Sequence, residues 1–336
     1  MRMLYNIPIE SLEERYSADW NKWFPNEFKR NGVAYETIYS DTLTDTIKNG
    51  SFLDVCSTNY FKAGQLKHLT KKLFTGEIKD GDTLFFHDLW FPGLEMLQYI
   101  RQGKGIDFKI CGILHAGTYD PYDFLSKRGM GSWGEQLENS WFNFIDKIFV
   151  ATLFHKELIL TSRIITPNKI IVTGLPIFKP LCPSFPKENI VVFPHRLDPE
   201  KNPQMFDALA KECKDTGWRF VKSKEVCNTK GEYYKLLAQS KMAVSFADQE
   251  TWGIAQLESV FMDCIPVVPD RLSYSELYKA AFKYQDFEEC VSKVKQFIQL
   301  GDMYQDILYL NKEILLLIGE LAVNKMLKEM KLYGNV

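Results

Sequence analysis

Residues 245–268 read SFADQETWGIAQLESVFMDCIPVV, and this stretch carries most of the information about the fold. The apolar run over 241–246 predicts a strand, the pattern over 252–262 predicts a helix, and residues 265–268 predict a second strand. A polar loop with Glu250 at its end separates the first strand from the helix. The order strand, loop, helix, strand is typical of a parallel sheet whose loops follow the carboxyl ends of the strands.

The same alternation continues in both directions along the chain. The other predicted strands are 3–8, 33–39, 83–87, 108–114, 147–151, 169–173, 189–194 and 218–222. The other predicted helices are 17–30, 58–75, 92–102, 133–144, 153–163, 202–213 and 231–239, with more helix in 286–333. The chain is therefore predicted to be an α/β protein with two doubly wound, Rossmann-like parallel sheets.

A linker rich in proline divides the two series of strands. Residues 174–188 contain four prolines and one glycine, which disfavour both helix and strand. We predict a first domain over 1–175, a second over 176–310, and a C-terminal helix in 311–336 that packs back toward the first domain. Ligands of such proteins bind outside the carboxyl ends of the strands, so we expect a cleft between the domains.

Composition narrows the class of protein. The 336 residues carry a formal charge of −2, which excludes a strongly basic nucleic-acid coat but allows a local basic groove. The 7 cysteines are scattered without CxxC spacing, so neither a disulfide framework nor a zinc site is predicted. No apolar run reaches about 18 residues, so no membrane span is predicted, and the N-terminus lacks the pattern of a secretory signal. We therefore predict a cytoplasmic protein, in the host cytoplasm if it is viral.

Glu258 is an unusual residue in the predicted helix. Its neighbours three and four residues away are Ile254, Ala255, Phe261 and Met262, all apolar. A carboxylate on such a face is costly unless it is paired or bonds a ligand, although a solvated helix glutamate is the alternative.

The start of that helix is a candidate anion site. Its first amide groups lack helical partners and carry partial positive charge, and Gly253 has no side chain to keep a phosphate away from the backbone.

A second cluster is PHRLDPEKN over 194–202, which follows a predicted strand and precedes a helix. Arg196 and Lys201 could neutralise a diphosphate at the carboxyl end of the sheet. The alternative is a solvated loop in which these cations pair with nearby carboxylates, Glu200 with Arg196 or Asp198 with Lys201.

Together the two clusters resemble the retaining glycosyltransferases of the GT-B fold, in the group similar to family 4. That family has an R-x4-K motif, here RLDPEK from Arg196 to Lys201, and an E-x7-E motif, here ETWGIAQLE from Glu250 to Glu258. The order and spacing of both motifs match, most clearly over 165–280. The glycine-rich loop that the family often has after its first strand is replaced by PIES over 8–11.

The resemblance implies a role for each matching residue. The cations would hold the diphosphate of a nucleotide-sugar donor, UDP-linked by preference, while Glu250 would bind the sugar and Glu258 the ribose. The implied donor-binding residues are Arg196, Lys201, Glu250, Trp252, Gly253, Ile254 and Glu258. The implied catalytic residues are Glu250, Arg196, Lys201 and His115. The resemblance implies no metal and no cofactor, because cations and helix dipoles replace the metal.

The predicted first domain contributes the acceptor side. His115 ends a predicted strand, where the family commonly places a histidine facing the donor sugar; capping of the strand end is the alternative. The segment over 9–23 follows the first strand, and Glu13, Arg15 and Tyr16 are the predicted acceptor-side residues. Trp20 and Trp23, in the same segment, fit the buried face of a helix better.

The segment over 9–23 also resembles the start of phage-encoded glycosyltransferases that modify hydroxymethylated bases in DNA. This makes a hydroxymethylated pyrimidine base the expected acceptor. Lys67 and Lys71 lie near one helix face and could contact phosphates, although a solvated face is the default interpretation.

Three alternatives stay open at this point. The acceptor could be a saccharide or a lipid-linked group, the protein could be a nucleotide-sugar epimerase of the same fold, or it could bind sugar nucleotides without catalysis.

Overall fold

The computed structural model describes residues 2–11, 16–41 and 54–332 of the chain. Two of the predicted acceptor-side residues, Glu13 and Arg15, lie outside the described residues. The chain divides into two compact units. The first comprises residues 1–150, 158–173 and 323–336, and the second comprises residues 151–157 and 174–322.

The first unit is built on a parallel sheet of six strands in the order β2-β1-β3-β4-β5-β6. The strands are β1 (Leu4–Ile7), β2 (Tyr35–Thr37), β3 (Thr83–Phe86), β4 (Lys109–Ile113), β5 (Lys147–Val150) and β6 (Ile170–Val172). The helices that follow them are α1 (Tyr16–Arg30), α2 (Val55–Thr75), α3 (Leu94–Lys104), α4 (Phe124–Lys127), α5 (Gly131–Phe144) and α6 (Leu153–Ser162). Adjacent residues such as Phe85 and Phe86 are both buried, because a parallel sheet is covered on both faces.

The second unit has a parallel sheet of five strands in the order β11-β10-β9-β7-β8. Its strands are β7 (Glu188–Phe193), β8 (Arg219–Lys222), β9 (Ser240–Val244), β10 (Ile265–Pro269) and β11 (Lys283–Tyr284). Its helices are α7 (Pro203–Glu212), α8 (Ser223–Val226), α9 (Lys230–Gln239), α10 (Ile254–Phe261), α11 (Tyr274–Leu277), α12 (Phe287–Leu300) and α13 (Gln305–Glu329). The end of α13 falls within the first unit.

The predicted fold class is confirmed, and each predicted strand is present. The predicted start of the helix at residue 252 is wrong, because Gly253 adopts a φ of +83° and α10 begins at Ile254. The sequence analysis also missed β11 and the single-turn helices α4, α8 and α11, which are too short to show a periodic pattern.

Each sheet has one point where the strand order reverses direction. In the first unit it lies between β1 and β3, and in the second unit it lies between β7 and β9. The loops after these strands diverge to opposite sides and leave a crevice at the carboxyl edge of the sheet. These two switch points therefore position the candidate functional residues.

Candidate functional site

The switch point of the second unit brings the two sequence clusters together. The loop after β7 carries Arg196 and Lys201, and the loop after β9 carries Glu250. The loops are joined by a bond from the Asp248 amide to the Glu200 carbonyl, 2.8 Å, and by Asn202 Nδ2 donating to Asp248 Oδ2, 2.7 Å. Residues about fifty apart in sequence thus form one polar cluster.

Lys201 and Glu250 form the centre of this cluster. Lys201 is only 5% exposed, and its Nζ lies 3.2 Å from Glu250 Oε2 while also donating to the Gln249 carbonyl. The other carboxylate oxygen, Oε1, accepts from the Gly253 amide at 2.9 Å. Burial raises the pKa of Glu250, but the charge of Lys201 and these hydrogen bonds outweigh it and hold that pKa below its usual value. The site therefore keeps an ionised carboxylate beside a buried ammonium.

Arg196 is engaged by two carboxylates in its own loop. Its Nε lies 2.7 Å from Asp198 Oδ2, and its NH2 group lies 2.7 Å from Glu200 Oε1. The pair of Arg196 with Glu200, anticipated as an alternative to anion binding, is therefore present.

Glu258, on α10, is not a solvated helix glutamate. Its Oε1 accepts from the Tyr234 hydroxyl at 2.9 Å and its Oε2 from the Tyr233 hydroxyl at 3.1 Å. Burial, together with the neighbouring Glu258 charge, raises the pKa of Tyr233 well above its ordinary value, so this phenol stays a donor. The two tyrosines lie on α9 and were not identified from the sequence, because their separation from Glu258 by about 25 residues carries no local pattern.

Trp252 and Gly253 shape the start of α10. Trp252 is 2% exposed, and its indole Nε1 has no hydrogen-bond partner within residues 2–11, 16–41 and 54–332. The Gly253 amide donates to Glu250 and is therefore already used. The N–H groups that the start of α10 could present to an anion are the following ones, beginning with that of Ile254. The carbonyl of Thr251 accepts from the Thr152 hydroxyl at 3.0 Å, which holds this loop in place.

His195 is a further residue of the cluster that the sequence analysis missed. It is 3% exposed, packs edge-on against Phe193 with ring centroids 5.2 Å apart, and its Nε2 has no partner among the described residues. Burial, with the charges of Lys201 and Arg196, lowers its pKa to about 3 despite the nearby Glu250. The position of His195 directly before Arg196 was the feature of the sequence that could have identified it.

In the first unit, His115 caps a strand end within an aromatic group. Its Nε2 donates to the His87 carbonyl at 2.8 Å, and its ring lies 5.3 Å from that of Trp20 and 5.8 Å from that of Tyr16. Burial lowers the pKa of His115. Trp20 is 1% exposed, as expected for the buried face of α1, and Tyr16 packs on it with ring centroids 4.8 Å apart. Trp23, expected on the same face, is only half-buried.

A buried ion pair lies at the switch point of the first unit. Lys62 on α2 is 7% exposed, and its Nζ contacts Asp88 Oδ2 at 2.8 Å and the Trp90 carbonyl at 2.6 Å. On the same helix, the exposed Lys67 pairs with Asp41 at 3.0 Å, which reduces the charge of the face proposed to contact phosphates.

Within residues 2–11, 16–41 and 54–332, no group of three His, Cys, Asp or Glu side chains is placed to hold a metal ion. Over the same residues, no helix combines the length and apolar character that a membrane crossing requires.

Comparisons with known proteins identify the fold. No protein-family model matches the chain. The sucrose-phosphate synthase of Thermosynechococcus elongatus superposes with a TM-score of 0.69 over 98% of each chain at 9% identity. The catalytic domain of starch synthase IV from Arabidopsis thaliana gives a TM-score of 0.67 over 98% of each chain at 11% identity. TarM from S. aureus superposes with a TM-score of 0.59 at 15% identity, and the match covers 81% of this chain and 59% of the TarM chain. The fold is therefore the GT-B fold of these enzymes.

The similarity to a curated protein covers a short stretch of the chain. Over 74 residues, 22% of this chain, the sequence is 31% identical to the tRNA-queuosine alpha-mannosyltransferase of Drosophila melanogaster. The match spans only 20% of that relative's length.

Proposed function

We propose that the protein is a retaining glycosyltransferase that uses a nucleotide-sugar donor, UDP-linked by preference. The observation that carries the proposal is the cluster of Arg196, Lys201 and Glu250 at the switch point of the second sheet. Two cations beside a carboxylate suit a donor in which a diphosphate is attached to a sugar rich in hydroxyl groups.

The cations hold and stabilise the leaving diphosphate. Lys201 has three N–H donors, and the partners it has among the described residues are the Glu250 carboxylate and the Gln249 carbonyl. The third donor suits a phosphate oxygen without breaking the pair with Glu250. As the glycosidic bond breaks, negative charge grows on the diphosphate, and Lys201 and Arg196 stabilise it in a site of low dielectric. That diphosphate then takes the proton of the acceptor hydroxyl on the same face of the sugar, which retains the configuration.

The remaining residues orient the two substrates. Glu250 bonds hydroxyls of the transferred sugar and Glu258 bonds the ribose, while Trp252, Gly253 and Ile254 border the donor. His115 faces the sugar, with its Nε2–H fixed on the His87 carbonyl. Glu13, Arg15 and Tyr16 remain the predicted acceptor-side residues. Because Arg196 and Lys201 supply the positive charge, activity is expected to persist in EDTA.

The acceptor is a hydroxyl group on a modified base of a nucleic acid, with hydroxymethylated pyrimidine in DNA as the specific expectation. The resemblance of the chain's start to enzymes of this kind supports it. The Drosophila relative, by its name, also transfers a sugar to a modified base, in tRNA. A saccharide or lipid-linked acceptor is the competing possibility, since TarM was crystallised with UDP and a glycosylated glycerol.

The test is a donor screen with each acceptor class. UDP-, GDP- and ADP-sugars are incubated with hydroxymethylated DNA, with tRNA, with a glycan mixture, or alone, and the products are analysed by mass spectrometry. A glycosylated nucleoside from DNA supports the full proposal. A glycosylated nucleoside from tRNA supports the transferase assignment and shows that the acceptor is in RNA and not in DNA. An epimer formed from the donor alone, or no donor consumed with any acceptor, contradicts the transferase assignment.

A further inference from the structure

Exposed aromatic rings and cations lie together in one stretch of the first unit. Tyr122 and Trp133 are each 50% exposed, although side chains of this size are mostly buried on average. Lys127 and Arg128, which lie between them in sequence, are exposed as well. These four residues are called the aromatic–cationic surface below.

The cations of this surface lie close to aromatic rings. The Lys127 Nζ is 5.9 Å from the centroid of the Tyr122 ring, and the guanidinium carbon of Arg128 is 5.1 Å from the centroid of the Phe124 ring. Both distances fall within the range of cation–π attraction. A turn with a φ of +77° at Gly129 connects α4 to α5, so the surface continues from one helix into the next.

Trp133 rests on a neighbour that is itself held in place. Its ring centroid lies 6.0 Å from that of Trp90 with the planes at 72°, and the Trp90 indole donates to Glu138 Oε1 at 2.9 Å. The next residue, Gly134, is packed so closely that a Cβ would lie 2.5 Å from Thr118 Cγ2. Because Trp90 and Thr118 lie in the loops after β3 and β4, the surface is attached to the carboxyl edge of the first sheet.

The exposed charge between the two rings is positive. The acids of the same stretch, Asp120 and Asp123, are only 7% and 5% exposed, and each accepts a bond of 2.9 Å from the backbone amide two residues further on. Glu135 is exposed, but it stands two positions beyond Trp133 on α5, and side chains at that spacing do not face each other. The surface is therefore complementary to an anionic partner that also presents flat apolar faces.

We propose that the aromatic–cationic surface binds a single-stranded segment of DNA, with bases stacked on Tyr122 and Trp133 and phosphates beside Arg128 and Lys127. An unpaired strand offers both base faces and regularly spaced charge, whereas a duplex hides the faces of its bases. This inference rests on the proposed function, in which the acceptor base must leave the base stack of DNA before its hydroxyl can react. The surface holds the strand that flanks this base.

The experiment measures DNA binding by the full chain in the absence of any donor. A fluorescein-labelled oligo-dT strand of about 15 nucleotides is titrated with protein at several salt concentrations and followed by fluorescence anisotropy. Oligo-rU of the same length and a heparin fragment are measured in parallel. The variants are Trp133→Ala, Trp133→Phe, Tyr122→Ala and Arg128→Gln. Tyr99→Ala and Arg30→Gln are matched controls, because both side chains are 78% exposed in the same unit.

The two aromatic variants are expected to show the largest losses. Trp133→Ala is expected to weaken DNA binding about 10-fold and Tyr122→Ala about 5-fold, as for the loss of one stacked base each. Trp133→Phe keeps a ring and is expected to lose less than about threefold. Arg128→Gln is expected to reduce the dependence of log Kd on log salt by about 0.7, the share of one phosphate contact on a single strand. Both controls are expected to leave binding unchanged.

Several results would overturn the inference. They are a wild type that does not bind oligo-dT, unchanged binding in both Trp133 variants, and a loss confined to Arg128→Gln, which would indicate attraction of charge without stacking. Tighter binding of oligo-rU or heparin than of oligo-dT would assign the surface to another partner. Thermal melting confirms that each variant is folded. Because no donor is used, these outcomes are distinct from failure of the proposed function, which is a chain that consumes no donor with any acceptor.

Discussion

Each unit buries one lysine at the switch point of its sheet, and the two lysines differ in their surroundings. Lys62 and Lys201 are both less than 8% exposed, and each pairs with a carboxylate and a main-chain carbonyl. Lys201 lies beside Arg196 and its two acidic partners, whereas Lys62 lies 5.8 Å from the centroid of the Phe91 ring. A buried lysine–carboxylate pair is therefore common to both units, and the pair of the second unit differs from the other by the second cation, Arg196, in the same loop.

The largest expected effect is a difference in turnover between variants of these two lysines. Lys62→Met and Lys201→Met each leave a largely buried carboxylate without its cation, so each is expected to lower the free energy of unfolding by about 3 kcal/mol. Only Lys201→Met is expected to reduce turnover, by about 100-fold or more, because it also removes a charge from the leaving diphosphate. Urea unfolding and initial rates measure the two quantities. Equal losses of turnover in two folded variants would contradict the comparison.

The next largest effect is a difference in UDP binding between variants of Glu258 and Glu250 in the second unit. Glu258→Ala is expected to weaken the binding of free UDP by about 10- to 150-fold, since a hydrogen bond to a charged group contributes about 1.5–3 kcal/mol. Glu250→Ala is expected to leave UDP binding nearly unchanged and to lower turnover, because its partner is the transferred sugar. Calorimetry with UDP beside initial rates decides between them. The reverse pattern would mean that the two roles are exchanged.

A third effect concerns the buried histidine of each switch point. Burial lowers the pKa of His87 and of His195 to about 3, whereas an unfolded histidine titrates near 6.5. The unfolded chain therefore binds more protons between these values, and stability is lost as the pH falls from 6.5 toward 3. Each histidine is expected to contribute a slope of up to about 1.4 kcal/mol per pH unit.

The variants His87→Phe and His195→Phe test the sign and the size of this pH dependence of stability. Each variant is expected to lose less stability than the wild type when the pH falls from 6 to 5, because one histidine no longer contributes. The free energy of unfolding at each pH is measured with urea. An unchanged slope for one variant would show that its histidine is already protonated in the folded protein.

The smallest effect compares two glycines with positive φ. Gly76 ends α2 at φ +74°, and among the described residues a Cβ there would have no atom within 4 Å apart from its own chain neighbours, so Gly76→Ala is expected to cost about 1 kcal/mol. A Cβ on Gly253 would lie 3.0 Å from Tyr274 Cε1 and 3.4 Å from Glu250 Cγ. Gly253→Ala is therefore expected to cost more stability than Gly76→Ala in thermal melts, and to lower turnover as well. Equal stability and unchanged turnover would argue against close packing at the Glu250 loop.

The sequence predicted the sheets and the cluster of Arg196, Lys201 and Glu250 because these depend on local spacing. Apolar runs define parallel strands, and loops after adjacent strands must meet at one edge of the sheet. The sequence could not predict the two tyrosines on Glu258 or the pair of Lys62 with Asp88. These contacts depend on how helices rotate and pack, which spacing along the chain does not determine. The roles assigned to the site residues remain predictions, those of Arg196, Lys201 and Glu250 as much as that of His115.

The last helix has a consequence for how the protein is made. Val323, Met326 and Leu327 are buried in the first unit, and Asn31 Nδ2 donates to Asn324 Oδ1 at 3.0 Å. A ribosome that adds about 5–20 residues per second reaches this helix end roughly 10–30 s after it has finished the last strand of the first sheet. During that interval the newly made sheet lacks part of its cover, although all of its strands exist. The first unit is thus begun early and is completed only when the end of the last helix has been made.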